Sequence, residues 1–331
     1  MLKKSIPFHF AMLMTVAGIV ITFILVSWMT KQPVEPSADN TIRNCNAQSI
    51  RLNGYTYIRP LLYGEKPCES ERLFPVKNEV ENLINSYKLS GVISTASVYL
   101  REFSQGDWVA IGETEKYNPG SLLKVPELIT FMKMNEKSPG LLDKKIAYTT
   151  PLNLPKRQFY LSKSIELGKT YTIRELLYYM IAYSDNNATW LLNQQMNNDI
   201  FMKVFTDLGI AKPDLTRNDI PVTAREFSYF MRVIYNASYL GIEDSDFCAD
   251  LLSHSDFAQG MLSGLPKDAK VIHKFGEAGD GTLAHFSESG IIYLNNTPYL
   301  LTVMTKGKDY KLLPSVIGDI SKKVYEKMNQ I

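Results

Sequence analysis

The 331-residue sequence contains few of the residues that build metal sites and disulfide-rich scaffolds, with three cysteines and four histidines. The histidines show no zinc-ligand spacing, and no glycine-rich phosphate loop follows a strand-like run, so we predict no metal and no cofactor. The net charge is only +2, without a basic block or an Arg-rich helix, which argues against nucleic acid as a partner. Cys45 and Cys68 could form a disulfide that leaves Cys248 free, but three cysteines decide nothing alone.

Formal charge is also absent from Ser5 to Thr30, where Met, Val, Ile, Leu and Phe dominate. About 20 such residues span a bilayer as a helix. A cleaved signal peptide has a shorter apolar run followed by a small-x-small site, so we predict an uncleaved transmembrane anchor over residues 6–30, with a cleaved signal as the alternative. Lys3 and Lys4 precede the span, which places residues 1–5 in the cytoplasm and the rest of the chain outside.

Residues 31–75 form a predicted juxtamembrane tether, rich in Pro, Asn and Ser in its first half. The second half has enough apolar residues to pack on the domain that follows. Within residues 76–331, periodicity predicts a helix and a hairpin first, helices in the middle, then three strands and a closing helix. Capping boxes at Thr172–Glu175 and Thr223–Glu226 open two of the middle helices. The terminal parts must therefore meet to share one sheet.

A Pro-Gly turn runs straight into Ser121, and Lys124 follows it three residues later at the start of a predicted helix. Residues three apart on a helix share a face. A serine hydroxyl needs a nearby group to take its proton, and a desolvated lysine can have a pKa low enough to do so. The alternative is a helix N-cap followed by a solvated lysine.

Two further motifs favour the chemical interpretation. Ser184-Asp185-Asn186 lies on a predicted turn between two helices, and Lys274-Phe275-Gly276 ends a strand-like run. In this order and at these spacings the three motifs resemble the signatures of class A β-lactamases and related penicillin-binding serine enzymes. The resemblance implies an α/β (α+β) two-lobed fold, with an antiparallel sheet flanked by helices and an all-α lobe. We expect Asp185 to be structural, bonding backbone amides in its turn.

The resemblance also implies roles in acyl transfer through a serine ester. Ser121 attacks the substrate carbonyl and Lys124 takes its proton. Ser184 relays a proton to the departing nitrogen, while Lys274 polarises that hydroxyl and attracts an anionic substrate. Asn186 fixes Lys124 and the substrate amide.

The oxyanion hole implied by the family consists of the backbone N–H groups of Ser121 and Glu277. Gly276 is expected to let the strand backbone come close to the ligand, because it has no side chain.

The sequence departs from the family at two places. Phe275 replaces the usual Thr or Ser, whose hydroxyl helps to bind a substrate carboxylate; His285 and Thr282 are candidates to compensate, although ordinary strand or loop roles are expected for both. The Glu-x-x-Leu-Asn motif that activates the deacylating water is missing. Asp214 and Asp219 are the only acids in the shortened loop, and we expect both to be solvated turn residues.

The sequence therefore predicts a serine hydrolase on the bacterial cell membrane, with its catalytic domain outside the cytoplasm. The expected partners are a β-lactam or a peptidoglycan stem peptide, and deacylation should be slow because the loop glutamate is absent. Two alternatives remain: a membrane-tethered protein that binds or senses without turnover, and an unrelated serine amidase or esterase on the same scaffold.

Overall fold

The computed structural model describes residues 45–150, 159–217, 219–279, 282–294 and 297–330. The predicted anchor and residues 31–44 of the predicted tether lie outside these ranges. Among the described residues, no helix is both long and apolar enough to cross a bilayer.

Within the described ranges, nine strands form one central sheet and two small ones. The strands are β1 (Gln48–Arg51), β2 (Leu61–Glu65), β3 (Thr95–Glu102), β4 (Trp108–Ile111), β5 (Lys145–Ala147), β6 (Thr170–Thr172), β7 (Lys270–Gly279), β8 (Ala284–Tyr293) and β9 (Tyr299–Gly307). The central sheet has the order β4-β3-β9-β8-β7 and is antiparallel throughout. The predicted hairpin thus meets the three late strands through the β3–β9 pair, as the expected shared sheet requires.

The helices surround this sheet. Those in the described residues are α1 (Phe74–Leu89), α2 (Lys124–Lys137), α3 (Ile173–Ala182), α4 (Asn186–Asn193), α5 (Asn198–Asp207), α6 (Ala224–Tyr235), α7 (Ile242–Ser253) and α8 (Leu313–Met328). Both predicted capping boxes are present, at the starts of α3 and α6. Each satisfies two backbone donors that a helix start otherwise leaves without partners.

Two hydrophobic cores confirm the two-lobed arrangement. One core packs the stripe of α1 and α8, including Val80 and Ile320, against the sheet. The other gathers the middle helices, with residues such as Leu128 and Phe230, against the rest of the sheet. Successive strand residues face opposite sides, so β9 contributes Leu301 to the first core and Leu300 to the second.

Several elements were not predicted. Residues 45–68 of the predicted tether contain the β1–β2 hairpin, and a Cys45–Cys68 disulfide closes this segment. The Tyr63 hydroxyl donates to the carbonyl of Leu208, the residue that follows α5 (3.0 Å). Cys248 is free and buried. Helix α7 and the small β5–β6 ladder were also missed.

Candidate functional site

The turn before Ser121 is docked on strand β7 through two glycines. Gly120 has a φ of +54°, and a Cβ there would lie 2.2 Å from the carbonyl oxygen of Glu277. A Cβ on Gly276 would lie 2.1 Å from the carbonyl oxygen of Pro119. Only residues without a side chain allow backbones to approach so closely. We had expected Gly276 to approach a ligand, but the close contact in the structure is with this turn.

Ser121 lies in a short 3₁₀ turn, Gly120–Leu123, that runs directly into α2. Its side chain is half-buried and caps neither helix, so the N-cap alternative does not explain it. In a 3₁₀ turn side chains three apart eclipse one another, which places Ser121 and Lys124 on one face.

Lys124 is buried, with 3% of its surface exposed. Its Nζ donates to the Ser184 carbonyl (2.6 Å), the Ser184 hydroxyl (3.1 Å) and Asn186 Oδ1 (2.9 Å). Burial lowers the pKa of Lys124 to about 8, although the negative charges of Glu127, Asp185 and Glu277 oppose the shift. An amine with this pKa is partly neutral near physiological pH and can accept a proton.

Ser184 connects the two lysines. Its backbone takes the left-handed conformation, with a φ of +52°, in the turn between α3 and α4. A non-glycine residue there is strained, and such strain is often found at functional sites. The hydroxyl receives one hydrogen bond from Lys124 Nζ (3.1 Å) and another from Lys274 Nζ (2.9 Å). A continuous hydrogen-bonded path therefore runs between the two lobes.

Asp185 holds this turn in place. Its carboxylate accepts hydrogen bonds from the backbone N–H groups of Asn187 (3.0 Å) and Ala188 (3.4 Å) as the N-cap of α4. It also accepts from the Ser164 hydroxyl and the Ile165 N–H. These hydrogen bonds give the Asp185 carboxylate a structural role, which is the role expected from the sequence.

Lys274 is fully buried, and its Nζ also donates to the Phe275 carbonyl (3.0 Å). Burial and the nearby Lys124 ammonium hold the pKa of Lys274 well below its ordinary value. The Nζ lies 4.1 Å from the centroid of the Phe275 ring. That ring in turn stacks on Phe257 and meets Tyr160 edge-on. An aromatic cluster thus occupies the position of the expected carboxylate-binding hydroxyl.

Neither proposed replacement for that hydroxyl is arranged as a substitute. His285 Nδ1 accepts a hydrogen bond from the Asn118 N–H (3.1 Å), and its ring packs on Tyr117. These contacts support the segment that leads to Ser121. Thr282 is exposed in the bend that precedes β8.

Glu277 belongs to the site through its carboxylate as well as its predicted backbone N–H. Its two carboxylate oxygens accept from the N–H groups of Phe159 and Tyr160, each at 3.0 Å. Burial raises the pKa of Glu277, while these hydrogen bonds oppose the shift. No local sequence pattern predicts this contact, because it joins residues more than 100 positions apart.

The two loop acids behave as expected for turn residues. Asp214 is exposed and accepts from the Thr216 N–H (3.0 Å) and hydroxyl (2.7 Å). Asp219 pairs with the Arg217 guanidinium at 3.1 and 3.3 Å. Both carboxylates thus have local partners within their own loop.

Residues 75–328, which are most of the chain, match the model of the β-lactamase enzyme family. The chain belongs to this family. No curated protein matches the chain.

Solved structures share the fold of this β-lactamase-family chain. A structure of PBP-A has a TM-score of 0.67 at 19% identity, covering 80% of this chain and 99% of PBP-A. A mutant of PBP-A, described as an acyl-enzyme complex with penicillin G, has a TM-score of 0.64 at 20% identity, covering 78% and 98% of the two chains. A β-lactamase from Chitinophaga pinensis has a TM-score of 0.65 at 21% identity, covering 77% and 100%.

Proposed function

We propose that the protein is an extracytoplasmic serine acyl-transfer enzyme that acylates itself with β-lactams or peptidoglycan peptides and releases the acyl group slowly. The observation that carries this proposal is the path from Lys124 through the Ser184 hydroxyl to Lys274, with the half-buried Ser121 three residues before Lys124 in the 3₁₀ turn that opens α2. Family membership and the fold shared with PBP-A and β-lactamases support it.

Acylation would follow from these positions. Ser121 Oγ attacks the substrate carbonyl carbon as its proton passes to the neutral Lys124 amine. The backbone N–H groups of Ser121 and Glu277 stabilise the negative charge on the carbonyl oxygen. When the C–N bond breaks, the leaving nitrogen takes a proton from the Ser184 hydroxyl. The Lys124 ammonium then returns the proton it took from Ser121 to the Ser184 oxygen. Asn186 Oδ1 fixes the lysine during both transfers.

Slow release follows from the loop between α5 and α6. Hydrolysis of the ester needs a base that activates water. Both loop acids described above are held in local contacts, and the β-lactamase glutamate motif is missing from the sequence. We therefore expect a penicillin-binding or weakly hydrolytic protein.

Fluorescent penicillin followed by denaturing electrophoresis tests the acylation. The wild type should give a labelled band, and Ser121→Ala and Lys124→Ala should give none. Ser138→Ala and Lys137→Ala, at the exposed end of α2, are matched controls and should label normally. Labelling that both site variants retain would end the catalytic proposal. Complete turnover of penicillin without a labelled band would contradict slow release.

A protein that binds without acylation is the alternative, favoured by Phe275 in place of the carboxylate-binding hydroxyl. Calorimetry decides between the two: binding of penicillin without any covalent band supports the alternative.

The proposed location rests on the uncharged stretch from Ser5 to Thr30 and on Lys3 and Lys4 before it. The full chain should sediment with membranes, resist alkaline extraction, and be cut by protease added outside spheroplasts. Recovery of the uncleaved chain in the soluble fraction would contradict the anchor.

A further inference from the structure

Glu127 lies one helical turn after Lys124 on α2, inside the second of the two cores described above. Only 8% of its surface is exposed, and every residue from Lys124 to Met132 is buried. Its side chain has a hydrogen bond with Asn193. The other carboxylate oxygen, Oε2, is buried and has no hydrogen-bond partner among the described residues.

A buried carboxylate with an unfilled acceptor is costly unless it is protonated or has a cation nearby. The cation that acts on Glu127 is Lys124, whose side chain lies on the same helix face at a spacing of three.

Four charged groups face Lys124, and three of them are committed elsewhere. Asp185 caps α4 and Glu277 accepts from two backbone amides. Lys274 is a like charge that shares the Ser184 hydroxyl. Glu127 is therefore the carboxyl group left to respond when Lys124 gains or loses its proton.

We propose that Glu127 is a positioning residue that sets the protonation state of Lys124 during the acyl transfer described under the proposed function, on which this inference rests. While the pair holds one proton, its net charge is zero whichever member carries that proton. Lys124 can accept the Ser121 proton once the pair has released its own proton to solvent, because the neutral amine then lies near an ionised Glu127. The transfer takes the pair from a net charge of −1 to zero, and the Glu127 carboxylate compensates the new ammonium in the low-dielectric core. The step needs no further reactant.

The titration of the two groups agrees with this geometry. Glu127 is the largest influence that opposes the lowering of the Lys124 pKa by burial. Burial raises the pKa of Glu127 to about 7, and the Lys124 charge opposes that rise. Two groups coupled in this way lose their protons in macroscopic steps that belong to the pair.

The test is the pH profile of penicillin labelling in Glu127→Gln, which keeps the shape of the side chain and removes its charge. Without the carboxylate, the Lys124 ammonium is less stable and its pKa falls. The acid limb of the labelling rate should move to lower pH by about one unit, a tenfold change in proton affinity, given charges about one helical turn apart. Glu127→Asp, which keeps the charge, should return the limb most of the way.

Glu136→Gln is the matched control, because Glu136 lies on the same helix at its exposed end and pairs with Lys133. The acid limb of the labelling rate of Glu136→Gln should coincide with that of the wild type. A folded Glu127→Gln whose limb also coincides with the wild type would overturn the inference.

A second measurement does not depend on acylation. In the full chain labelled with ¹³C-lysine, the Lys124 Cε resonance is identified by its loss in Lys124→Met. Its titration midpoint should fall by about one pH unit in Glu127→Gln, and an unchanged midpoint overturns the inference. If penicillin labels no variant, the proposed function fails, and this titration alone decides the role of Glu127.

Discussion

Replacing Lys124 with Met should change the pH dependence of folding stability. In the folded protein the Lys124 pKa is lowered from 10.5 to about 8. A lysine with a lowered folded pKa destabilises the fold fully below pH 8, and this cost disappears as the pH rises from 8 to 10.5. Wild-type stability should therefore improve relative to the variant over that window.

The size of the effect follows from the shift. One pKa unit corresponds to about 1.4 kcal/mol, so the full cost is about 3.5 kcal/mol, of which about 2.5 kcal/mol disappears between pH 7 and pH 10. Met also leaves the Ser184 carbonyl and Asn186 Oδ1 without a donor. That loss adds a constant offset. The change with pH therefore reports the buried Lys124 charge together with the titration of Glu127, which is coupled to it.

Urea unfolding followed by tryptophan fluorescence at pH 7 and pH 10 measures this quantity for the full chain in mild detergent. Lys137→Met, at the exposed end of the same helix, is the control and should show little change between the two pH values. A wild-type minus Lys124→Met difference that is the same at both pH values would refute the claim that Lys124 is a desolvated amine.

Three further predictions concern the framework of the site. Gly120→Ala should cut the rate of penicillin labelling at least about 100-fold, because the added methyl group displaces the turn from β7 and a 1 Å misplacement can cost that much. Gly140→Ala, also at positive φ but with open space around it, is the control and should label normally. Equal labelling rates in the two variants would show that the close contact with β7 is unimportant. Cys68→Ser should lower stability by about 3 kcal/mol in urea unfolding, and an unchanged midpoint would argue against the disulfide. Glu65→Gln should cost about 3 to 5 kcal/mol because it leaves the buried Arg232 guanidinium without its carboxylate at 2.6 Å, and a loss below about 1 kcal/mol would count against that pairing.

Local sequence signals predicted the elements whose causes are local. The capping boxes at Thr172 and Thr223 and the stripe of α8 require only neighbouring residues, and both boxes and the helix appear in the structure. The β1–β2 hairpin escaped prediction because long-range contacts stabilise it. Glu65 in β2 binds Arg232 in α6 across 167 positions.

In the candidate site, too, local motifs predicted some residues and only the folded structure identified others. The three motifs predicted which side chains form the site. In the structure Lys124 is hydrogen-bonded to Ser184 and Asn186, and Ser184 is hydrogen-bonded to Lys274. The burial of Glu127 was missed, although its spacing of three from Lys124 placed it on the same face. A charged residue within an apolar helical run was the signal that could have identified it.

The most direct test of the central claim is mass spectrometry of the protein after incubation with penicillin. The account predicts a mass increase of one intact penicillin, located by peptide mapping on Ser121 and absent from Ser121→Ala. No adduct, or an adduct on another residue that persists in Ser121→Ala, would contradict it.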